Sequence, residues 1–366
     1  MSLLRFQLHH LRNIASAELE LAPSCNFLLG PNASGKTSIL EGISLLATGR
    51  SFRTRQFSSV VSHGFSASVA HGRVQQPDGQ ILEYGVERAK SGQRFRISNE
   101  RVNSLAELAA LLPFQVITPE VSELLLGGPK NRRRFLDWGL FHVEPGFHAH
   151  WVRYRKLLRQ RNAALRSGQS DLRLLRSWEN DFAQSACVLT AAYQNYVQQL
   201  CIALENFSRD AWPEWAEVAL EFDPAWEVDS EPVVDEFIRQ LRQQETRDRQ
   251  RGFTGVGPHE AEIRIRFSGH LARDVLSRGQ IKLLSILLML TQAQQLGAER
   301  GGRVLLLLDD LAAELDLENR SRVLAEVQRG ALQAVITGTQ QAALDVEHGL
   351  DCQKFHVEHG QVQPQT

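Results

Sequence analysis

The sequence predicts an α/β fold of mixed sheets around one loop-to-helix turn, interrupted by a mainly α-helical insertion. Three observations carry this. A glycine-rich octapeptide, Gly30-Pro31-Asn32-Ala33-Ser34-Gly35-Lys36-Thr37, joins a short apolar run at 25–29 to a stretch with apolar residues at helical spacing, Ile39, Leu40, Ile43, Leu46 and Ala47. Strand-like alternation flanks this unit on both sides. Between Pro119 and about Arg251 the alternation gives way to long charged stretches with helical spacing. The expected divisions are therefore residues 1–118 and 252–366 for one domain, with 119–251 as the inserted helical lobe.

In chain order, Leu3 to Leu11 and Ala17 to Leu21 alternate as a hairpin does and lead into the strand at 25–29. After the helix at 36–47, strands are expected at Ala67 to Val74, Ile81 to Glu87 and Arg94 to Ile97, punctuated by Gly72, Pro77-Asp78-Gly79 and Ser91-Gly92. Leu105 to Leu112 reads as helix and Phe114 to Thr118 as strand. Within the insertion, helices are expected at Trp151 to Arg166, Leu172 to Phe207 and Pro232 to Arg249, with one strand at Val218 to Phe222. Strands return at Ile263 to Phe267, Val304 to Leu308, Ala334 to Thr337 and Lys354 to Val357, with helices at Gly279 to about Leu296 and about Glu318 to Arg329.

The chain of 366 residues carries 41 basic and 42 acidic side chains, a formal net charge of -1. No global polycation draws it to nucleic acid, so any such contact must come from a local patch. Cys25, Cys187, Cys201 and Cys352 have no metal-ligand spacing and are few for a disulfide framework, which suits a reducing compartment. The alternating start does not resemble a signal peptide, and the longest apolar stretch, Leu283 to Leu290, is too short to span a bilayer. A cytoplasmic protein is expected.

The octapeptide has the pattern G-x-x-x-x-G-K-T. Gly30 and Gly35 let successive N–H groups curl around phosphates, the following helix aims its positive end at them, Lys36 reaches the outer phosphates, and Thr37 offers a hydroxyl to Mg²⁺. ATP and Mg²⁺ are the expected ligands. Val304 to Leu308 runs into Asp309-Asp310. Alone, such a carboxylate would read as a helix N-cap. Beside a phosphate loop, Asp309 reads as a Mg²⁺ ligand and Asp310 as the group that orients attacking water. Leu276-Ser277-Arg278-Gly279-Gln280 opens a helix, where Ser277, Gly279 and Gln280 could bind an anion or simply cap the turn.

Together these motifs resemble those of ABC-type ATPases, whose signature peptide binds the γ-phosphate of a nucleotide held by a second subunit. The resemblance implies an ABC-type P-loop ATPase head. It also assigns Gln115 to the Q-loop, Ala313-Glu314-Leu315-Asp316 to the D-loop, and Arg12-Asn13 to a position where relatives touch the nucleotide; a surface arginine is the duller reading of Arg12.

More narrowly, the chain resembles the RecF family of bacterial recombination-mediator ATPases. The residues that carry this are the loop itself, Thr118-Pro119-Glu120, the run from Gly127 to Trp138, Gly257-Pro258-His259, and the signature with Arg278 in place of the transporter-type glycine. The resemblance implies an ATP-dependent homodimer holding two nucleotides. It also implies binding to single-strand/double-strand DNA junctions, and action with RecO and RecR to load RecA in gap repair, replication-fork recovery and the SOS response. The alternatives are an ABC transporter ATPase subunit, whose two motifs usually lie closer together, and an SMC or Rad50 head, whose coiled coil is far longer than this insertion.

Two departures imply slow hydrolysis that times a dimer. Asp310 stands where the wider superfamily has Glu, and Gly338-Thr339 where many relatives have a histidine. Basic residues gather at Lys130, Arg132, Arg133 and Arg134 and again at Arg153, Arg155, Lys156, Arg159, Arg161 and Arg166. Arg155, Arg159 and Arg166 share one helix face, which suits either a phosphate backbone or plain solvation. The histidines show no ligand pattern, and the six tryptophans are expected to pack the insertion.

Overall fold

The computed structural model describes residues 1–54, 56, 59–98, 100–102, 104–167, 172–330, 332–339 and 352–365. The chain begins with β1 (Ser2–Leu11), β2 (Ile14–Glu20), β3 (Cys25–Leu29), α1 (Lys36–Thr48), β4 (Ala67–Gln75), β5 (Ile81–Ala89), β6 (Gly92–Ile97), β7 (Glu100–Val102), α2 (Leu105–Leu111) and β8 (Phe114–Ile117). It continues through α3 (Glu123–Leu126), α4 (Pro129–Val143), α5 (Phe147–Arg166), α6 (Leu172–Ser177), α7 (Glu179–Ala211), β9 (Val218–Asp223), α8 (Val234–Gln243), α9 (Glu245–Arg251), β10 (Glu262–Phe267), β11 (His270–Leu271) and α10 (Ala272–Val275). The last elements are α11 (Arg278–Arg300), β12 (Val304–Leu308), α12 (Leu311–Glu314), α13 (Leu317–Arg329), β13 (Leu332–Gly338), β14 (Cys352–Glu358) and β15 (Gln361–Gln365).

Two compact units result: residues 1–121 with 278–366, and residues 122–277. In the first, an antiparallel sheet runs β2-β1-β4-β5-β6-β7 and a mixed sheet runs β15-β14-β3-β13-β12-β8. The second sheet is parallel except for the β14–β15 hairpin. Between Ser38 and Ala47 every residue of α1 is buried. Its Ile39, Leu40, Ile43 and Leu46 share a core with Leu3, Phe6 and Leu8 of β1 and with Leu305, Val335 and Val357 of the mixed sheet. A helix covered on all sides needs no polar face. Each such leucine contributes roughly 1.5–3 kcal/mol by leaving water.

The second unit centres on α7, which packs against α4, α5 and α8, with a small sheet ordered β11-β10-β9. Tyr154 stacks on Phe182 at 5.0 Å, and Trp226 meets Phe237 edge-on, also at 5.0 Å. Trp212, Trp215 and Trp226 are buried. The division differs from the expected one at its far boundary: residues 252–277 group with the second unit because β10 pairs along its length with β9. The expected helix at 172–207 is broken at Trp178, and that at 232–249 at Gln244. The periodicity assigned no helix to Pro129–Val143, whose first turns are basic, and no strands to β7, β11 and β15. Among the described residues no helix is long and apolar enough to cross a membrane.

Candidate nucleotide-binding site

In the mixed sheet β3 lies between β13 and β14, with β12 next to β13, so the carboxyl ends of β3 and β12 open on one edge. That is where ligands bind in parallel sheets. An open cleft of about 540 Å³ sits there. It is lined by Arg12, Asn13, the loop from Asn32 to Ser38, Arg53, Asp309, Asp310 and Thr337 to Thr339.

The loop is held from outside. A Cβ at Gly30 would lie 2.0 Å from the Val357 carbonyl oxygen, and Gly35 has φ +119°, so both positions require glycine. Gly360 N–H donates to the Ser34 carbonyl at 2.8 Å. Ser38 Oγ donates to Asn13 Oδ1 at 2.9 Å, and Asn13 Nδ2 donates to the Ala33 carbonyl at 3.4 Å. Ser34 Oγ is buried without a partner, a donor ready for an anion. Lys36 Nζ donates to the carbonyls of Gly30 (2.8 Å) and Pro31 (2.7 Å). Burial holds its pKa below the usual lysine range, against the opposing pull of Asp310 and Asp309.

Thr37 Oγ1 donates to Asp309 Oδ1 at 3.0 Å. Thr337 Oγ1 donates to the same oxygen at 2.8 Å and accepts from Asp310 N–H at 2.8 Å. Asp310 takes φ +53°, a left-handed conformation that few side chains adopt. Burial, and secondarily the Asp309 charge, raise its pKa above the usual aspartate range, with Lys36 opposing. A hydroxyl and a carboxylate oxygen 3.0 Å apart beside a phosphate loop form the oxygen set a hard divalent cation takes, so Thr37 and Asp309 fit Mg²⁺.

A model of the family described as RecF/RecN/SMC N terminal domain matches residues 2–357. The DNA replication and repair protein RecF of Shigella flexneri serotype 5b (strain 8401) is 39% identical over 368 residues, covering 99% of each chain. The chain belongs to the RecF family. The RecF of Proteus mirabilis (strain HI4320) is 38% identical over 371 residues, again covering 99% of both. A solved structure described as the recombination mediator protein RecF-ATP in RecFOR pathway matches all of this chain and 98% of its own, with a TM-score of 0.86 and 25% identity. An Smc head bound to the C-winged helix domain of ScpA matches at TM-score 0.60 and 11% identity, which speaks for the fold alone.

Within this RecF-family fold, the expected loop, Arg12, Asp309 and Asp310 converge. Gln115 does not. Strand alternation sends Phe114 and Val116 to the α1 core and Gln115 to the other face, where Nε2 donates to Gln292 Oε1 of α11 at 2.7 Å. Gln115, expected in the Q-loop, is not among the residues that line the cleft. Ser277, Gly279 and Gln280 are exposed at the start of α11, with Ser277 the last residue of the second unit. Glu314 of the expected D-loop accepts from Lys282, and Asp316 caps α13 by accepting from Asn319 N–H at 2.8 Å.

Of the basic residues, Arg155, Arg159 and Arg166 are exposed on α5, Arg155 lying 5.3 Å over the Trp151 ring. Arg132 and Arg161 are buried in ion pairs with Glu262 and Asp248, both at 2.8 Å, so neither belongs to a solvent-facing patch. Sequence reasoning also missed Glu41 and Thr337. The signal for Glu41 was a lone carboxylate in an otherwise apolar helix, and for Thr337 its place at the end of the strand beside β12.

Proposed function

We propose that this chain is an ATP- and DNA-binding replication and repair protein of RecF type. The observation that carries this is the convergence of Lys36, Thr37 and Asp309 in one cleft of a chain alike to RecF from end to end. The loop amides, Ser34 and Lys36 bind the phosphates; Asp309 and Thr37 hold Mg²⁺, which neutralises phosphate charge when bound. Asp310 orients water for slow hydrolysis that DNA stimulates.

Each copy carries one phosphate loop and one signature. The exposed Ser277-Arg278-Gly279-Gln280 turn caps a nucleotide held by a second copy in this reading, giving an ATP-driven homodimer with two ATP. The exposed guanidinium face of α5, from Arg155 to Arg166, supplies backbone contacts to DNA at single-strand/double-strand junctions. RecO and RecR are the partners of this reading, with RecA loading on gapped DNA as its outcome.

Sedimentation of the wild type, Lys36→Met and Ser277→Arg with ATP, Mg²⁺ and a gapped duplex tests it. The wild type should dimerise only with ATP. Lys36→Met should lose nucleotide and dimer together; Ser277→Arg should bind ATP yet stay monomeric. A wild type that remains monomeric at saturating ATP on the gapped duplex defeats the proposal.

A further inference from the structure

Glu41 lies in α1 one helical turn past Thr37 and is fully buried. A charge removed from water in an apolar helix persists only when it is fully paired. Here both carboxylate oxygens are engaged. Arg12 Nε donates to Oε2 and Arg12 Nη2 donates to Oε1 at 2.9 Å. The Ser51 hydroxyl also donates to Oε1. Arg53 Nη1 stands 3.9 Å from Oε2.

Ser51 extends this reach. Its oxygen accepts from the backbone N–H groups of Arg53 and Thr54, both at 3.0 Å, so the hydroxyl that binds Glu41 also shapes the turn carrying Arg53. Arg12 stands in the β1–β2 turn at φ +52°, a strained position for a side-chain-bearing residue. Arg12 and Arg53 come from separate segments, yet both line the nucleotide cleft. Because Glu41 occupies the Nε/Nη2 edge of Arg12, the outer edge, Nη1 with the second N–H of Nη2, remains as a fork suited to phosphate oxygens.

We infer that Glu41 is a positioning residue for the nucleotide: its carboxylate fixes Arg12 directly and Arg53 through Ser51, presetting two guanidinium groups as a clamp for the phosphates of a nucleoside triphosphate. This rests on the reading of the cleft as the ATP site and adds the residue that organises its cationic wall. Preorganisation removes the need to order two long side chains at the moment of binding.

The experiment is a titration of the full chain with a fluorescent ATP analogue, using the wild type, Lys36→Met, Glu41→Gln, Arg12→Lys and the double variant Glu41→Gln/Arg12→Lys. Arg12→Lys leaves Glu41 a cationic partner while removing the fork, so it reports even if Glu41→Gln folds poorly. Each single change at the clamp should weaken binding about tenfold or more. The double variant should be no weaker than the poorer single, because the two residues act as one unit. Unchanged affinity with only a lowered melting temperature overturns the inference, as do losses that add in the double variant. If Lys36→Met binds as well as the wild type, the reading of the cleft itself fails; if Lys36→Met loses binding and the clamp variants keep it, the clamp alone fails.

Discussion

Thr37 and Asp309 are separated by 272 positions of chain and joined by a 3.0 Å hydrogen bond. One follows the phosphate-loop lysine; the other comes directly after β12, which stands two places from β3 in the sheet. Asp309→Asn keeps the shape of this junction and removes its charge. Hydrolysis should fall about a hundredfold or more, and ATP affinity should lose its Mg²⁺ dependence. Calorimetric titration with Mg²⁺ and with EDTA measures the second effect; an intact Mg²⁺ dependence would remove Asp309 from the site.

Arg155, Arg159 and Arg166 offer exposed charge on a single face of α5. Replacing all three by Ala should lower the slope of log affinity against log salt for duplex DNA by up to about 2.7, since each phosphate contact contributes about 0.9. Fluorescence anisotropy at several salt concentrations reads this directly. An unchanged slope assigns DNA to another surface.

Arg161 and Asp248 form a buried ion pair, with Arg161 also donating to Thr254 Oγ1 at 2.5 Å and Asp248 accepting from Gly255 N–H at 3.0 Å. Burial outweighs the arginine and lifts the Asp248 carboxyl above its usual range. Such a pair adds little net stability, yet breaking it is costly. Asp248→Ala, which strands the arginine, should destabilise by about 3–5 kcal/mol in urea unfolding followed by circular dichroism. A change below about 1 kcal/mol, the scale of a surface pair, would show that water reaches this site.

His259 is held on both sides of its ring. Its Nε2 lies 2.9 Å from the Thr254 carbonyl, which accepts its proton, so Nδ1 accepts from the Tyr154 hydroxyl at 2.6 Å. Burial lowers its pKa from 6.5 to about 4. Between those values the unfolded chain takes up a proton that the folded chain refuses, so stability falls as pH drops from 6.5 towards 4, by at most about 3 kcal/mol. His259→Gln should flatten that part of the stability curve relative to the wild type. Parallel curves would mean that the ring titrates alike in both states.

Local structure was legible in the sequence where residue spacing is regular. The loop from Gly30 to Thr37 and the strand running into Asp309 are identified by their own residues, and β1, β3, α1 and β12 follow from periodicity. What depends on distant pairing was not. Arg132 and Arg161 look like members of basic runs until Glu262 and Asp248 arrive from 130 and 87 positions away. Gln115 sits at the expected junction, but the alternation of β8 turns its amide toward α11. The far boundary of the second unit moved for a similar reason, because the partner of β10 is a strand of the insertion.

The neighbours of β3 are β13 and β14, both drawn from beyond residue 331. During synthesis the strand that carries the phosphate loop therefore emerges from the ribosome long before either edge can be satisfied, and non-local pairing of this kind is slow. Competence to bind nucleotide should consequently be among the last properties this polypeptide acquires, so that fragments released early by translational arrest remain inert toward ATP.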